Sequence, residues 1–561
     1  MGSNVFSVLN TGKVGLLSQQ LAIEVTGQNI ANVQTKGFSR QKVALEASTP
    51  RSIGLGQLGT GVRVAGIERS HNSFLFREIV AENSSIGEFQ ARQDVFDQME
   101  TLFNDGLGGS LNTSLSDFFS SLQDLANNPS GLAERSVVRG NAQSLASTFN
   151  NLGSQLFDKR VNLDNQIAGE VTDINALISQ IAKMNKAIHE NETSPGFGAN
   201  DLRDQRDRLV NQLAEKIDIT VVNEQNGLLN LTFSNGQPLV LGLSSFSLST
   251  RLNGNNNGFR DVLLSDGQGN LTDITSKIQS GKLKGLLDMR DVELPASRDK
   301  VDQMAAGFIQ EFNRVHGQGF GADGSTGVNF FSPLTPTVQA NTANTGGAQV
   351  SMSNVNPNLS SVDKFEITVT GANSFSLANL TTGLASGTFT FSSGSAFNLA
   401  GGLAVTISGT PAAGDRFTFS LSENASALIR VDDAVLSDPQ KIAAGTTLGG
   451  DGENARQLAN IQNRLVSNGV SIDPAGSGSF TFDDFYNSIV SQVGVNSKTS
   501  RTTMTQQEGV MIQLTTRRES AAGVSIDEEM INLVKFQQAF TAAARLISTV
   551  DEMMNVLQNR I

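Results

Sequence analysis

Asp266, Gln268, Asn270 and Asp273 place oxygen side chains at nearly the spacing of a calcium loop. The match fails at two positions. Leu271 stands where such a loop needs Gly for its sharp turn, and no Glu stands at the twelfth position. A turn rich in Asp and Gly is the expected structure. Gly106, Gly108 and Gly109 suggest a phosphate cradle, but no Gly-Lys-Ser/Thr follows them. No Gly-x-Ser-x-Gly stands between a strand and a helix as a nucleophile elbow. The carboxylate pairs Asp483–Asp484 and Glu528–Glu529 are adjacent in sequence, so their side chains are expected to point apart. Both pairs sit where a helix N-terminus favours negative charge. His occurs only at 71, 189 and 316, without ligand spacing, and there is no Cys. The expectation is no catalytic residue, no cofactor site and no metal site.

The most informative residues concern helix boundaries instead. Ser525-Ile526-Asp527-Glu528 reads as a capping box, in which Ser525 accepts from the Glu528 amide and the Glu528 carboxylate reaches back to the Ser525 amide. Gly523 breaks whatever helix precedes it. A separate terminal helix should therefore run from about Ile526 to Ile561, roughly 50 Å at 1.5 Å per residue. Along it Leu533, Phe536, Phe540, Ala543, Ile547, Val550, Met554, Leu557 and Ile561 alternate in steps of three and four. That is the a/d seam of a coiled-coil strand, which needs a partner helix to cover it. A lone helix leaves the seam in water, so the ends are expected to order only when packed on each other and on neighbours. The seam reaches the last residue, and no tail is expected to shield it.

A matching stripe lies at the other end. Leu9, Leu16, Ile23 and Ile30 recur every seven residues, widened by Val14, Leu17, Leu21 and Val25. A second helix is expected around 75–103, with Ile79, Ile86, Phe89, Phe96 and Phe103 on one face. A further a/d run follows at Ile167, Val171, Ile174, Ile178, Ile181 and Ile188, broken only by Asn185. It reads as one arm of an intramolecular helical hairpin. Strands then take over. Ile217–Val222 and Leu228–Phe233 flank Asn226-Gly227, a hairpin signal. From Phe331 to Leu421 only Asp363, Lys364, Glu366, Asp415 and Arg416 are charged, and the stretch alternates like strands. It reads as an inserted all-β domain. Helices resume around Ala455–Leu465 and Asp483–Ser520.

The composition narrows the function classes. The chain has 561 residues, enough for several domains, with 38% hydrophobic and 17% charged residues. A net charge of −13 argues against nucleic acid and anionic membranes as partners. Residues Met1 to Lys13 show no basic stretch followed by an apolar core, so no cleaved secretory signal is expected. No apolar run approaches a membrane span.

Asn29-Ile30-Ala31-Asn32-Val33-Gln34-Thr35-Lys36-Gly37-Phe38-Ser39-Arg40-Gln41 resembles the N-terminal signature of the bacterial flagellar rod, hook and axial protein family. Its Ser39-Arg40-Gln41 ending is most similar to that of the hook-associated junction members. Gly523-Val524-Ser525-Ile526-Asp527-Glu528-Glu529, Phe536-Gln537-Gln538-Ala539-Phe540 and Ile547-Ser548-Thr549-Val550 resemble the closing helix of the same family. Gly409 to Phe417 and Gly450 to Ala455 resemble internal motifs. Lys36 replaces the usual Pro, and Phe38 and Phe540 stand where Tyr is common. Gly37 suits a tight turn out of the first helix, by positive φ or close backbone approach. Asn29 and Asn32 suit capping or backbone bonding.

The resemblance implies a multidomain α+β chain of nested domains. A terminal helical coiled coil takes 1–40 with 521–561. A mainly helical domain with some strands takes 41–330 with 425–520, and the β insert takes 331–424. The resemblance also implies a homo-oligomeric ring at the hook–filament junction, outside the cell, reached by flagellar type III export. Its partners would be the hook protein, the second junction protein and an export chaperone on the C-terminal helix. Two alternatives stand beside it: a rod or hook protein sharing the terminal motifs, and a secreted adhesin or hydrolase whose insert binds a ligand. Chain length and the Ser39-Arg40-Gln41 ending count against the first. The lack of charge and His in the insert counts against the second.

Overall fold

The computed structural model describes residues 2–53, 56–103, 111–192, 198–223, 227–233, 236–355, 360–399, 402–448, 450–465 and 480–558. Helix α1 (Gly2–Ala31) is followed by β1 (Gln41–Ala47), which pairs antiparallel with β4 (Val62–Arg69), Gln41 facing Arg69. A smaller hairpin, β2 (Arg51–Ile53) with β3 (Gly56–Leu58), lies between them in sequence. The sequence reading placed no strand this early. These strands are largely exposed, so burial leaves only a faint alternating pattern in them.

Four helices come next: α2 (Ser73–Phe103), α3 (Leu111–Asn127), α4 (Leu132–Asn191) and α5 (Asn200–Lys216). The predicted apolar run sits on the 60-residue α4, and Ile167, Val171, Ile174, Ile178, Ile181 and Ile188 are all buried. This helix packs on α3 and α5, as a hairpin arm would. It also packs on strands, which the pattern did not foretell. Strands β5 (Ile219–Asn223), β6 (Leu229–Phe233), β7 (Pro238–Leu241) and β8 (Ser244–Ser245) form an antiparallel sheet in that order. Gly227, at φ 75°, supports the turn between β5 and β6; Asn226 lies outside the described residues. Strands β9 (Leu248–Leu252), β10 (Arg260–Ser265) and β11 (Leu271–Asp273) make a second sheet centred on β10.

Asn185 explains the union of helix and sheet. It is fully buried, donates to the carbonyls of Leu229 and Gly242 at 2.7 Å each, and accepts from Arg206 Nη1 at 2.9 Å. A buried amide there serves strand edges rather than a helix–helix register.

Helix α6 (Lys282–Asp288) runs through a π-helical turn (Met289–Glu293) into α7 (Leu294–His316). An aromatic cluster joins α7 to α3, with Phe118 5.1 Å from Phe312 and Phe330 4.9 Å from Phe331 between ring centroids. Phe331 therefore belongs to the helical core, and the strands of the insert begin further on.

The insert contains β12 (Thr337–Ala340), β13 (Gly347–Asn354), β14 (Lys364–Gly371), β15 (Ser374–Asn379), β16 (Leu384–Thr390), β17 (Ala396–Asn398), β18 (Leu403–Thr410) and β19 (Arg416–Ser420). They form one sheet in the order β12-β19-β14-β15-β16 and another in the order β13-β18-β17, with neighbouring strands antiparallel. Ile367, Phe375, Val405 and Phe417 from both sheets share an apolar core of their own.

Short helices α8 (Ala425–Leu428), α9 (Asp433–Ser437) and α10 (Glu453–Ala459) lead back to α11 (Phe482–Ala522) and α12 (Ile526–Gln558). Thr481 caps α11 in a capping box with Asp484. Helix α11 runs antiparallel to α2: the Tyr486 hydroxyl donates to the Phe103 carbonyl at 3.3 Å, and Gln93 donates to Ser497 Oγ at 3.4 Å. Helix α12 lies antiparallel along α1, so the chain goes out and returns.

Candidate assembly site at the chain ends

The motif residues form a polar clamp that ties α1, β1, α5 and α12 together. The clamp begins with Asn29, on the last turns of α1 and almost fully buried. Its side-chain amide donates to the Gln41 carbonyl and to Glu529 Oε2, each at 2.9 Å, and its Oδ1 accepts from the Gln41 amide at 2.9 Å. One side chain thus holds the start of β1 and the start of α12. Asn32 acts locally, donating to the Gln28 carbonyl at 3.0 Å and accepting from the Thr35 hydroxyl at 3.1 Å. Ile30 and Phe38 are half-buried and Ala31 is exposed.

Gly37 turns the chain at φ 83°, a backbone state that L side chains adopt at a cost. A Cβ there would also stand 2.9 Å from Arg208 Cγ. Positive φ and close approach therefore coincide.

Beyond the turn, Ser39, Arg40 and Gln41 each take a different carboxylate. The Ser39 amide and hydroxyl donate to the two oxygens of Asp204 at 2.8 and 2.9 Å. Gln41 Nε2 donates to Asp201 Oδ1 at 2.8 Å. Arg69 on β4 closes the group, reaching Asp204 at 2.7 Å and Asp207 at 2.8 Å. Asp201, Asp204 and Asp207 were missed by the sequence reading. Their signal was a run of carboxylates at i, i+3 and i+6 on one helix face, which names a face and not its partner.

Arg40 carries the link to the C-terminal helix. Its amide donates to the Ala522 carbonyl at 2.9 Å, capping α11. Its guanidinium reaches Glu528 Oε2 at 2.7 Å and Glu529 Oε1 at 2.6 Å. The two glutamates were expected to point apart. They converge because the long arginine fork spans both. This also redirects the expected capping box: the Glu528 amide is 3.5 Å from Ser525 Oγ, while its carboxylate turns to Arg40.

The seam residues lie along the α1–α12 pair. Val550 is buried, and Leu533, Phe536, Phe540, Ala543, Ile547 and Met554 are half-buried. Ile561 lies outside the described residues, as does the side chain of Leu557. Gly12 brings the helices close; a Cβ there would meet Ile547 Cγ1 at 3.1 Å. At 100° per residue Leu16, Ile23 and Ile30 flank Gly12 on that side, with Leu9 at its edge, and all four are half-buried. The most buried α1 side chains are instead Ser18, Ala22, Thr26 and Asn29.

Both helices also carry large apolar side chains in the open. Phe6, Val8 and Leu17 on α1 and Val534, Leu546 and Val556 on α12 are exposed, and Ile531 reaches 68%. Monomeric surfaces seldom keep so many large apolar side chains in the open.

Among the described residues no group of three or more His, Asp or Glu is placed to hold a metal ion. His316 is fully buried between the Val328 carbonyl and the Ala443 amide, each at 2.8 Å, and burial pushes it down to about 4. His71 is held below its ordinary value by burial and then by Arg69. The Asp266 carboxylate is taken up by the backbone amides of Gln268 and Asn270 at 2.7 and 3.1 Å, in the turn joining β10 to β11.

Residues 96–331 match the family model described as the flagellar hook-associated protein FlgK helical domain. Residues 518–560 match the flagellar basal body rod FlgEFG protein C-terminal model. The chain is 30% identical over 558 residues to flagellar hook-associated protein 1 of Escherichia coli K12, covering 99% of each. It is 27% identical over 591 residues to the protein of that name from Bacillus subtilis, covering 99% of this chain and 98% of the other. In fold it is similar to the flagellar hook junction protein FlgK from Burkholderia pseudomallei, with a TM-score of 0.68 at 22% identity over 80% of this chain and all of that one. The chain therefore belongs to the flagellar hook-associated protein 1 family.

Proposed function

We propose that this protein is a structural subunit of the bacterial flagellum at the junction of hook and filament, and that it works by assembly. The observation that carries this reading is the α1–α12 pair: clamped by the motif on one side and lined with exposed Phe6, Leu17, Ile531 and Val534 on the other. Covering these side chains contributes about 25 cal/mol per Å² of apolar surface removed from water, and a neighbouring copy is the natural cover. The seam from Leu533 to Ile561, with Leu9, Leu16, Ile23 and Ile30, is the assembly element. The subunits close into a ring around an axial channel, with the hook protein below and the second junction protein above. Before assembly an export chaperone covers the C-terminal helix, and the chain leaves the cell by flagellar type III export.

Three nested domains fit this role. The terminal coiled coil comprises 1–40 and 521–561, the mainly helical domain 41–330 and 425–520 with Phe331 packed into its core, and the β insert the rest of 331–424. Among the described residues no helix is long and apolar enough to cross a membrane, in keeping with a subunit of an external polymer. The role is mechanical and involves no catalysis.

Cells lacking the protein should build hooks without filaments, visible by electron microscopy. Truncation from Leu533 onward should abolish polymerisation and chaperone binding while the central domains stay folded. Assembly of the truncated chain at hook tips would overturn the reading.

A further inference from the structure

A cleft of about 480 Å³ opens where α2, α5 and the last turns of α11 meet, behind the Gly37 turn. Leu75, Phe76, Ile79 and Met511 form its apolar wall, and Lys36, Arg208 and Arg518 bring positive charge to it. Asp204 and Asp207 also line it, but both are held by Arg69. The remaining acids are Glu215 on the cleft and Glu519, 2.9 Å from Arg518. Three cations therefore face two carboxylates beside an apolar wall.

The first turns of α12 have the complementary character. Arg40 pairs with Glu528 and Glu529, and with Asp527 beside them the turn keeps a net negative charge. Ile526, Met530 and Ile531 are 50%, 48% and 68% exposed. Ala521 and Ala522, at the end of α11, line the cleft, so this acidic and apolar turn emerges at nearly the same level of the molecule. It stands outside the cleft of its own chain.

We propose that the first two turns of α12 from one copy seat in the α2–α5–α11 cleft of the next copy. Met530 and Ile531 lie against Phe76 and Met511, and Asp527 faces Lys36 and Arg518. This contact rests on the assembly reading above and gives it a direction. The inserting turn and the receiving cleft are different surfaces, so each copy offers both, and the contact propagates around a ring.

The chain has no Cys, so Thr515→Cys with Met530→Cys introduces only two thiols. In flagella from cells making this variant as their sole copy, mild oxidation should give a ladder of covalent oligomers, and neither single variant should give one. If the variant is incorporated but no ladder forms, the cleft contact is overturned while the assembly reading stands. If the unmodified protein is itself absent from flagella, both fall. Should the double-cysteine variant be excluded, a charge set decides. Lys36→Glu with Arg518→Glu should lower incorporation about tenfold, and adding Asp527→Lys should restore it. No loss, or no restoration, overturns the contact.

Discussion

Arg40 Nε donates to Glu529 Oε1 at 2.7 Å across 489 residues of chain. The side chains are 14% and 3% exposed, so both charges are largely out of water. Removing one partner of a buried pair leaves the other uncompensated, at about 3–5 kcal/mol. Arg40→Ala is expected to undock the start of α12 while leaving the helical body folded. Amide exchange around Met530–Phe536 should rise sharply, with α4 unchanged; equal protection in both proteins would refute the clamp.

Gly37 tests the turn. Gly37→Ala meets both a positive φ, worth about 1–2 kcal/mol, and the crowding of Arg208. Adding Arg208→Ala should recover the crowding and not the backbone strain. Urea unfolding of the two variants separates the contributions, and identical midpoints would mean that crowding is negligible.

Asn185→Leu distinguishes two roles for one residue. In a coiled-coil seam the change would stabilise. Here it strips bonds from the Leu229 and Gly242 carbonyls and from Arg206, each buried loss costing about 1–3 kcal/mol. The melting temperature should fall; a rise would show that the sheet contacts are dispensable.

Two buried groups give opposite responses to acid. His316 is pushed down to about 4 by burial, so the unfolded chain takes up its proton first. Its contribution is complete above pH 6.5 and is lost as pH falls from 6.5 towards 4. Asp302 is pushed up to about 6, mainly by burial, so the folded state holds that proton more tightly and gains stability as pH falls from 6 towards 3.8. The two contributions have opposite signs, so they offset one another in the native chain. Asp302→Asn removes one side of the balance. Its stability should drop more steeply than that of the parent between pH 6.5 and 4, and parallel curves would refute the assignment.

Large apolar residues made most of the fold legible. The α4 seam, the β5–β6 hairpin, the strand-rich insert and the terminal helix all announce themselves by period. On α1 the pattern pointed to Leu9, Leu16, Ile23 and Ile30, yet the deepest positions are Ser18, Ala22, Thr26 and Asn29. Small and polar residues that let a backbone approach closely leave no mark in a hydrophobic period. The clamp was half legible: its motif residues stand out in the chain, but Asp201, Asp204 and Glu529 are ordinary surface types until the fold joins them. The β1–β4 hairpin was lost because an exposed strand has little need of apolar alternation.

The insert enters on β12 and leaves on β19, which lie side by side with Thr337 facing Ser420. A segment hung from two adjacent strands with its own apolar core behaves like a cartridge in a mount. Sequence can be lengthened, shortened or exchanged beyond that doorway without strain on α7 or α11. The contour of the insert is thus free to diversify, and a reporter or epitope grafted there should leave the clamp at the chain ends undisturbed.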